Sequence, residues 1–407
     1  MKRNSCLICQ SKKLHDIIDL GNQPYADTFI HKKNSHIMLP VYRLSCTLCE
    51  ECGQVQTKAV TDPAERYNLF DYSYTSSNSS VAKNHWNDYN KEVVKKLDIT
   101  SSDRICEIGS NDGYLLKLFK DSQNAILGID ASKYLVNIAN SSGIPTVECL
   151  FDNENSQKIL ESHDKFNLVM ANNVFNHSND PLSFANGVNN LLCEGGHFVF
   201  EVPYWKNTVD SHKIDQVYHE HVSYFTATSA KRIIEKTGFS IVDIKVVDYH
   251  GGSLRVYAKK MKNISTNCAR LDDLIRTEQH LFNKKTYQKL REDLERKKML
   301  FLRDILRIKT EKNSPIIAIG AAAKGNTFLN YMNLDSTIID CVTDSSVHKQ
   351  GKVTPLTNIN ITSDDVLSEY KEVHAIILSW NLSDKIKEKL RLINKDIQFI
   401  NFYKDYQ

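Results

Sequence analysis

The chain has 407 residues, of which 41% are hydrophobic and 25% charged, a composition typical of a globular protein with two or three domains. Its 52 basic and 49 acidic residues leave a net charge of +3, so nothing in the charge favours binding to nucleic acid or to an acidic membrane surface. No apolar run approaches the roughly 18 residues of a membrane span, and no apolar stretch follows the basic N-terminus as in a signal peptide. We therefore expect a cytoplasmic protein.

Half of the ten cysteines lie within the first 52 residues. Two Cys-x-x-Cys pairs, Cys6 with Cys9 and Cys49 with Cys52, predict a structural zinc site, because four thiolates close a tetrahedral site and leave no position for water or substrate. Redox-active cysteines are the alternative, which a reducing compartment disfavours. Cys46 and Cys49 also have the Cys-x-x-Cys spacing, so the residues alone leave the ligand set open.

Short apolar runs alternate with helical patterns through the middle of the chain and again near its end. Strands are predicted over 104–109, 125–130, 166–171 and 196–202. This alternation indicates a parallel sheet covered by helices on both faces, an α/β fold. Residues 241–247 and 253–259 predict a hairpin, the charged region 263–312 predicts a helical connector, and further strands are predicted over 315–320, 337–342 and 374–378.

A glycine-containing loop follows the first of these strands and leads into a helix. Glycines let the backbone approach a ligand, and the helix start supplies free N–H groups. The strand carries Glu107 near its end, and the next strand ends in Asp130, which is suited to bind ribose hydroxyls. The pattern resembles the S-adenosylmethionine site of class I methyltransferases; a bare strand-to-helix turn is the alternative. The predicted cofactor residues are Glu107, Gly109, Ser110, Asn111, Gly113, Asp130 and Asn172.

A dense polar cluster follows at residues 218–224. A neutral imidazole held by a carboxylate is a good general base near pH 7, which fits His221 oriented by Glu220 or another acid. The spacing of the two histidines lacks the helical H-E-x-x-H pattern of a metal site. Other candidates for the same cleft are Tyr218, Tyr224, Asn173 and His177, with Tyr72 from a Ser/Thr-rich segment that is equally consistent with a solvated loop.

Near the C-terminus, Lys324, Gly325 and Asn326 open a helix after a predicted strand. A cation and free N–H groups at this position suit a pyrophosphate, and a simple helix cap is the alternative.

Together these residues resemble the sugar C-methyltransferases of deoxysugar pathways over nearly the whole chain. The matching segments are the paired cysteines and residues 20–24, 49–53, 107–113, 218–221, 251–255 and 320–326. The resemblance implies four parts: a zinc-binding domain (1–65), a class I, Rossmann-like methyltransferase domain (66–262), a helical connector (263–312) and a C-terminal α/β domain (313–407). It also implies zinc on Cys6, Cys9, Cys49 and Cys52, with Cys46 spare.

The resemblance further implies the reaction. His221 corresponds to the base of the family, and the residues that correspond to its substrate-facing groups are Tyr72, Asn173, His177, Tyr218 and Glu220. The expected substrate is a nucleotide-linked 4-keto sugar methylated at C3 through an enolate, and Lys324, Asn326, Tyr224 and Arg255 are its further predicted contacts. At 355–361 the chain reads PLTNINI where the family has PGTHIPI, which bears on the nucleotide contacts of the C-terminal domain. An O- or N-methyltransferase and a non-enzymatic zinc-bearing protein are the alternatives.

Overall fold

The computed structural model describes residues 2–68, 75, 77, 79–263, 266–312 and 314–406 of the chain. Tyr72 lies outside these residues. The first part of the chain forms an antiparallel sheet of β1 (Leu14–Pro24), β3 (Val41–Cys49) and β4 (Val55–Thr57). Its fourth strand, β10 (Ser223–Tyr224), comes from far along the sequence and pairs with β4. The short β2 (Ile30–His31) pairs with β15 (Lys352–Val353) of the C-terminal part.

The central part is a seven-stranded sheet in the order β11-β12-β9-β8-β5-β6-β7. Its strands are β5 (Arg104–Ile108), β6 (Ala125–Asp130), β7 (Thr146–Glu148), β8 (Phe166–Asn172), β9 (Leu192–Pro203), β11 (Phe239–Val247) and β12 (Ser253–Lys260). Its helices are α1 (Pro63–Asn68), α2 (Ser80–Leu97), α3 (Tyr114–Asp121), α4 (Lys133–Ser141), α5 (Asn153–Leu160), α6 (Pro181–Leu191), α7 (Trp205–Asp210) and α8 (Ala227–Lys236).

Strands β5 to β9 run parallel, and β11 and β12 add the predicted hairpin antiparallel to β9. Both faces of this sheet are covered, so its inner strands are apolar along their length: Leu168, Val169, Met170 and Ala171 of β8 are all fully buried. The predicted α/β architecture is confirmed here.

The C-terminal part begins with α9 (Ala269–Thr277) and the long α10 (Lys284–Arg307). The charged sequence of α10 predicts a solvated connector, yet one face is buried: Leu290 and Leu294 pack on the N-terminal sheet, and Phe301 and Ile305 enter the core of the following domain. The helix therefore bridges two hydrophobic cores while its other faces carry the charge.

A five-stranded parallel sheet follows, in the order β16-β14-β13-β17-β18. Its elements are β13 (Ile316–Ile319), α11 (Ala323–Met332), β14 (Cys341–Thr343), β16 (Ile361–Thr362), β17 (Val373–Ile377), α12 (Ser383–Arg391), β18 (Ile397–Ile400) and α13 (Phe402–Asp405). The strand predicted over 337–342 begins only at Cys341, because the Asp335 carboxylate accepts hydrogen bonds from the backbone and hydroxyl of Thr337 and holds a turn there. None of the helices in the described part of the chain combines the length and apolarity that a membrane crossing requires.

Candidate active site

A cavity of about 1790 Å³ lies between the central sheet and the C-terminal sheet. The carboxyl ends of parallel strands from both sheets open onto it, the edge at which such sheets bind ligands. The structure brings twelve of the predicted site residues to its wall: Glu107, Gly109, Ser110, Asn111, Asp130, Asn172, Asn173, His177, Tyr218, Glu220, His221 and Lys324.

At one end of the cavity the loop after β5 is shaped by Gly109 and Asp130. Gly109 has a φ of 69° and its N–H donates to the Ile129 carbonyl at 2.7 Å. The Asp130 carboxylate accepts the Asn111 N–H on Oδ2 at 2.9 Å and the Ser132 N–H on Oδ1 at 2.8 Å. Each oxygen retains a lone pair, so this carboxylate can also accept hydroxyl groups of a ribose.

Gly113 lies behind this loop, at the start of α3, and not on the cavity wall. Its φ is 78°, and an added Cβ would lie 2.9 Å from the Ile144 side chain. Gly113 therefore lets the loop pack closely, but it does not make the contact with the cofactor that the sequence predicts.

Glu107 provides a buried carboxyl group at this end of the cavity. Burial raises the pKa of its carboxyl well above the ordinary value, helped by the charges of Asp112 and Asp130. Among the described residues, nothing hydrogen-bonds to Glu107 Oε2 or Ser110 Oγ, although both atoms are buried. Buried polar atoms are normally paired, so these two atoms, with the acid of Glu107, fit a polar, cationic ligand such as S-adenosylmethionine.

His221 also lines this cavity and is buried. Its Nδ1 is 2.9 Å from the Gln216 carbonyl oxygen, which only accepts, so Nδ1 carries the proton and Nε2 keeps a lone pair. The sequence predicts that Glu220 or another acid orients the His221 ring. At Nδ1 this prediction is wrong, because the hydrogen-bond partner there is the backbone carbonyl of Gln216. Burial, with the charge of Lys324, holds the pKa of His221 well below its usual range.

Aromatic neighbours fix the plane of the His221 ring. The Tyr218 ring lies 3.9 Å from it, centroid to centroid, and the His177 ring lies at 5.2 Å. Burial and the nearby Arg66 lower the pKa of His177 to about 3, so His177 stays neutral. The His219 ring points elsewhere, with Nε2 at 3.1 Å from the Tyr42 carbonyl, and ties the N-terminal sheet to this segment.

The opposite end of the cavity is cationic. Lys324 Nζ donates to the His250 carbonyl at 3.3 Å and lies 5.3 Å from the centroid of the Trp380 ring. Burial lowers the pKa of Lys324 to about 8, against the opposing charge of Asp215. Lys213 lies 4.5 Å from the same indole centroid. The sequence patterns miss Gln216, Lys213 and Trp380, since no local motif marks them.

Three predicted substrate contacts lie elsewhere. Arg255 is buried against Glu201 and Glu92, with its Nε 2.5 Å from Glu201 Oε1, and does not reach the cavity wall. Asn326 donates from Nδ2 to the Ala26 carbonyl at 2.6 Å, a bond that joins α11 to the N-terminal part. Tyr224 packs on Trp205, at 4.8 Å between centroids, and does not line the cavity. These side chains hold the fold around the site.

The four cysteines predicted as metal ligands come together. The sulfur atoms of Cys6, Cys9, Cys49 and Cys52 all lie within 4.8 Å of one another, as ligands of one tetrahedral ion do. Cys46 is not in this group, and burial raises the pKa of its thiol to about 12. The chain therefore binds structural zinc through four thiolates and leaves Cys46 as a packed thiol.

The central sheet adds an antiparallel hairpin beside the parallel strand order 3-2-1-4-5, and it carries Glu107 before the loop after β5 and an acid at the end of β6, the arrangement of a class I S-adenosylmethionine-dependent methyltransferase. Family models match three consecutive parts of the chain: a zinc binding domain at 6–67, a methyltransferase domain at 84–244 and a C-methyltransferase C-terminal domain at 248–402. Together these models span most of the chain, which is thus a methyltransferase with a zinc-binding part before its methyltransferase domain and a part similar to the C-terminal domain of C-methyltransferases after it.

Among curated relatives, the chain is 26% identical over 385 residues to the C-methyltransferase NovU of Streptomyces niveus, covering 94% of this chain and 91% of that protein. Among solved structures, it is similar to magnesium protoporphyrin IX methyltransferase from Synechocystis PCC 6803 with bound S-adenosylmethionine (13% identity, 50% of this chain, 100% of that chain, TM-score 0.37). A SAM-dependent methyltransferase from Archaeoglobus fulgidus matches at 14% identity over 43% of this chain and 94% of that chain, with a TM-score of 0.34.

Proposed function

We propose that this methyltransferase adds a methyl group to C3 of a nucleotide-linked 4-keto-6-deoxyhexose, with His221 as the base. One observation carries the proposal: a single cavity joins the Glu107 end, which fits a cationic cofactor, to the Lys324 end, which fits an anionic diphosphate. His221 lies on the wall of the same cavity. A sugar bridging from the cationic end would therefore meet an imidazole on the way to the cofactor.

His221 suits proton abstraction because its geometry is preset. The Gln216 carbonyl holds the proton on Nδ1, and Nε2 can accept the C3 proton without a change of tautomer. The low pKa of His221 keeps the imidazole neutral, and hence basic in form, over the whole neutral range. Burial of the ring also excludes water that would return the proton.

A ketone next to C3 makes this proton removable because the oxygen takes up the developing charge. Tyr218, whose ring lies 3.9 Å from that of His221, and Asn173 line the cavity and carry hydrogen-bond donors suited to stabilise that oxygen. Glu107, Asn111, Asp130 and Asn172 would hold S-adenosylmethionine, which when bound supplies the electrophilic methyl group that the enolate carbon takes up.

The test separates proton removal from methyl transfer. A panel of nucleotide-4-keto-6-deoxyhexoses is incubated in D₂O with the protein and S-adenosylhomocysteine, and loss of the C3 proton signal is followed by NMR. His221→Ala should slow this exchange by about 10²–10⁴-fold, the usual contribution of a general base. The control, His163→Ala, removes a histidine far from the cavity and should exchange at the wild-type rate.

Binding of S-adenosylmethionine, measured by calorimetry, should be the same for wild type and His221→Ala, which shows that the variant is folded. A His221→Ala protein that exchanges C3 normally would remove His221 from the role of base. A product methylated on oxygen or nitrogen would overturn the C-methylation proposal while leaving the cofactor site intact.

A further inference from the structure

The C-terminal sheet repeats the hydrogen bonding of the cofactor site. The Gly320 N–H donates to the Thr343 carbonyl at 2.8 Å, as the Gly109 N–H donates to Ile129. Gly320 also has a positive φ, 95°, and packs against Ser379, which follows the neighbouring strand β17. Gly109 packs in the same way against Val174, which follows β8, so in both sheets the glycine after the first strand contacts the segment after the fourth strand of the 3-2-1-4-5 order.

The repetition extends to an acid after the second strand. Asp344 accepts the Ala321 N–H on Oδ2 at 2.8 Å and the Ser346 N–H on Oδ1 at 2.8 Å. Asp130 accepts the corresponding loop and turn N–H groups on the same two oxygens. Asp344 therefore has the same orientation over its loop as the acid that is suited to hold a ribose in the cofactor site.

The surroundings of Asp344 fit a nucleotide. Asp344 lines the same cavity as Lys324 and the start of α11, where a diphosphate would find a cation and free N–H groups. The neighbouring Thr343 hydroxyl also lines the cavity and is fully buried, and no described residue bonds to it. A buried hydroxyl without a partner in a cavity wall indicates a polar ligand there.

We infer that Asp344 binds the vicinal hydroxyls of a ribose, so that the nucleoside diphosphate carrying the sugar is a ribonucleotide. The assignment of this nucleotide as the sugar carrier rests on the proposed function; the ribose site itself rests on the geometry of residues 320–346. In parallel sheets of this order, the pyrophosphate lies at the helix start and the acid after the second strand takes the ribose 2′-hydroxyl.

The test measures binding of free nucleotides, without sugar or methyl transfer. Calorimetry on the full chain compares GDP with dGDP, UDP with dUDP, CDP with dCDP and ADP with dADP, so that only the 2′-hydroxyl differs within a pair. For the preferred base, the ribonucleotide should bind about tenfold or more tightly, as expected for one hydrogen bond to a carboxylate.

Asp344→Asn should reduce this ratio towards one, whereas a variant that merely disturbs the loop would weaken both members of a pair equally and keep the ratio. The matched control is Asp130→Asn, which should weaken S-adenosylmethionine and leave the ratio unchanged. Equal affinity within every pair, or no binding of any nucleotide, would overturn the inference. Because no keto-sugar is used, failure of C3 exchange with an intact ratio would instead count against the proposed function alone.

Discussion

The central and C-terminal sheets of this protein share the order of their parallel strands and a loop geometry, but each carries one buried charged residue that the other lacks. Two residues before the loop glycine, the central sheet has Glu107 and the C-terminal sheet has the apolar Ala318. After the glycine, the C-terminal loop carries Lys324, and the central loop has Gly113 at the matching distance. With the ligands proposed above, the backbone arrangement would provide the ribose and helix-start contacts in both sheets, while one side chain in each sheet would set the charge of its ligand.

The strongest test of this comparison removes each charge in turn. Glu107→Gln should weaken S-adenosylmethionine by about 10–100-fold and leave GDP or UDP unaffected, and Lys324→Met should do the reverse, because a hydrogen bond to a charged group contributes about 1.5–3 kcal/mol. Calorimetry of both ligands with both variants gives the four dissociation constants that the test requires. If either variant weakened the binding of both ligands to the same extent, the two ends of the cavity would not bind their ligands independently.

The second test uses pH, because the two charges titrate in opposite senses. Glu107 binds a cation as the carboxylate, and its raised pKa in the free protein means that affinity for S-adenosylmethionine should rise as pH increases through that raised pKa. Lys324 binds an anion as the ammonium, so nucleotide affinity should fall as pH rises through its pKa of about 8. Each slope is limited to about tenfold per pH unit. If the two affinities changed with pH in the same direction, the assignment of Glu107 to the cation and of Lys324 to the anion would be contradicted.

The smallest expected effect concerns Asn326, which lies next to the nucleotide end but bonds to Ala26. Asn326→Ala should lower the free energy of unfolding by about 1 kcal/mol, the contribution of one hydrogen bond, as measured by urea denaturation. Nucleotide affinity should not change. A clear loss of nucleotide affinity at unchanged stability would return Asn326 to the binding site.

The parts of this protein that the sequence predicts best are those where local chemistry and local structure coincide. Glu107, Gly109 and Asp130 belong to one strand–loop–helix–strand unit, so their spacing already defines the cofactor end. The four cysteines are separated by a long stretch, yet their two short pairs predict the cluster because each pair acts as a unit. His221 is similarly marked by its polar neighbours.

Other features depend on contacts that leave no pattern in the sequence. The group that orients His221 is the backbone carbonyl of Gln216, which any residue would provide. Arg255 and Asn326 lie in motifs that match the family, but a motif does not say whether a side chain faces the cavity or the core. Nothing in the local sequence distinguishes Asp344 from the other acidic residues. Only the pairing of β14 with β13 shows that it lies over the Gly320 loop.

The strand β10 has a consequence for how the chain folds. It follows His221 directly, yet it completes the sheet of the zinc-binding part, and the Thr57 N–H donates to the Val222 carbonyl at 2.9 Å. During synthesis, we expect the N-terminal sheet to keep an open edge at β4 until more than half of the chain has left the ribosome. Only then is β10 available, since pairings distant in sequence form late. A cut between the zinc-binding and methyltransferase parts would leave β10 without its partner and β4 with an open edge, so we expect the two parts to fold as one unit.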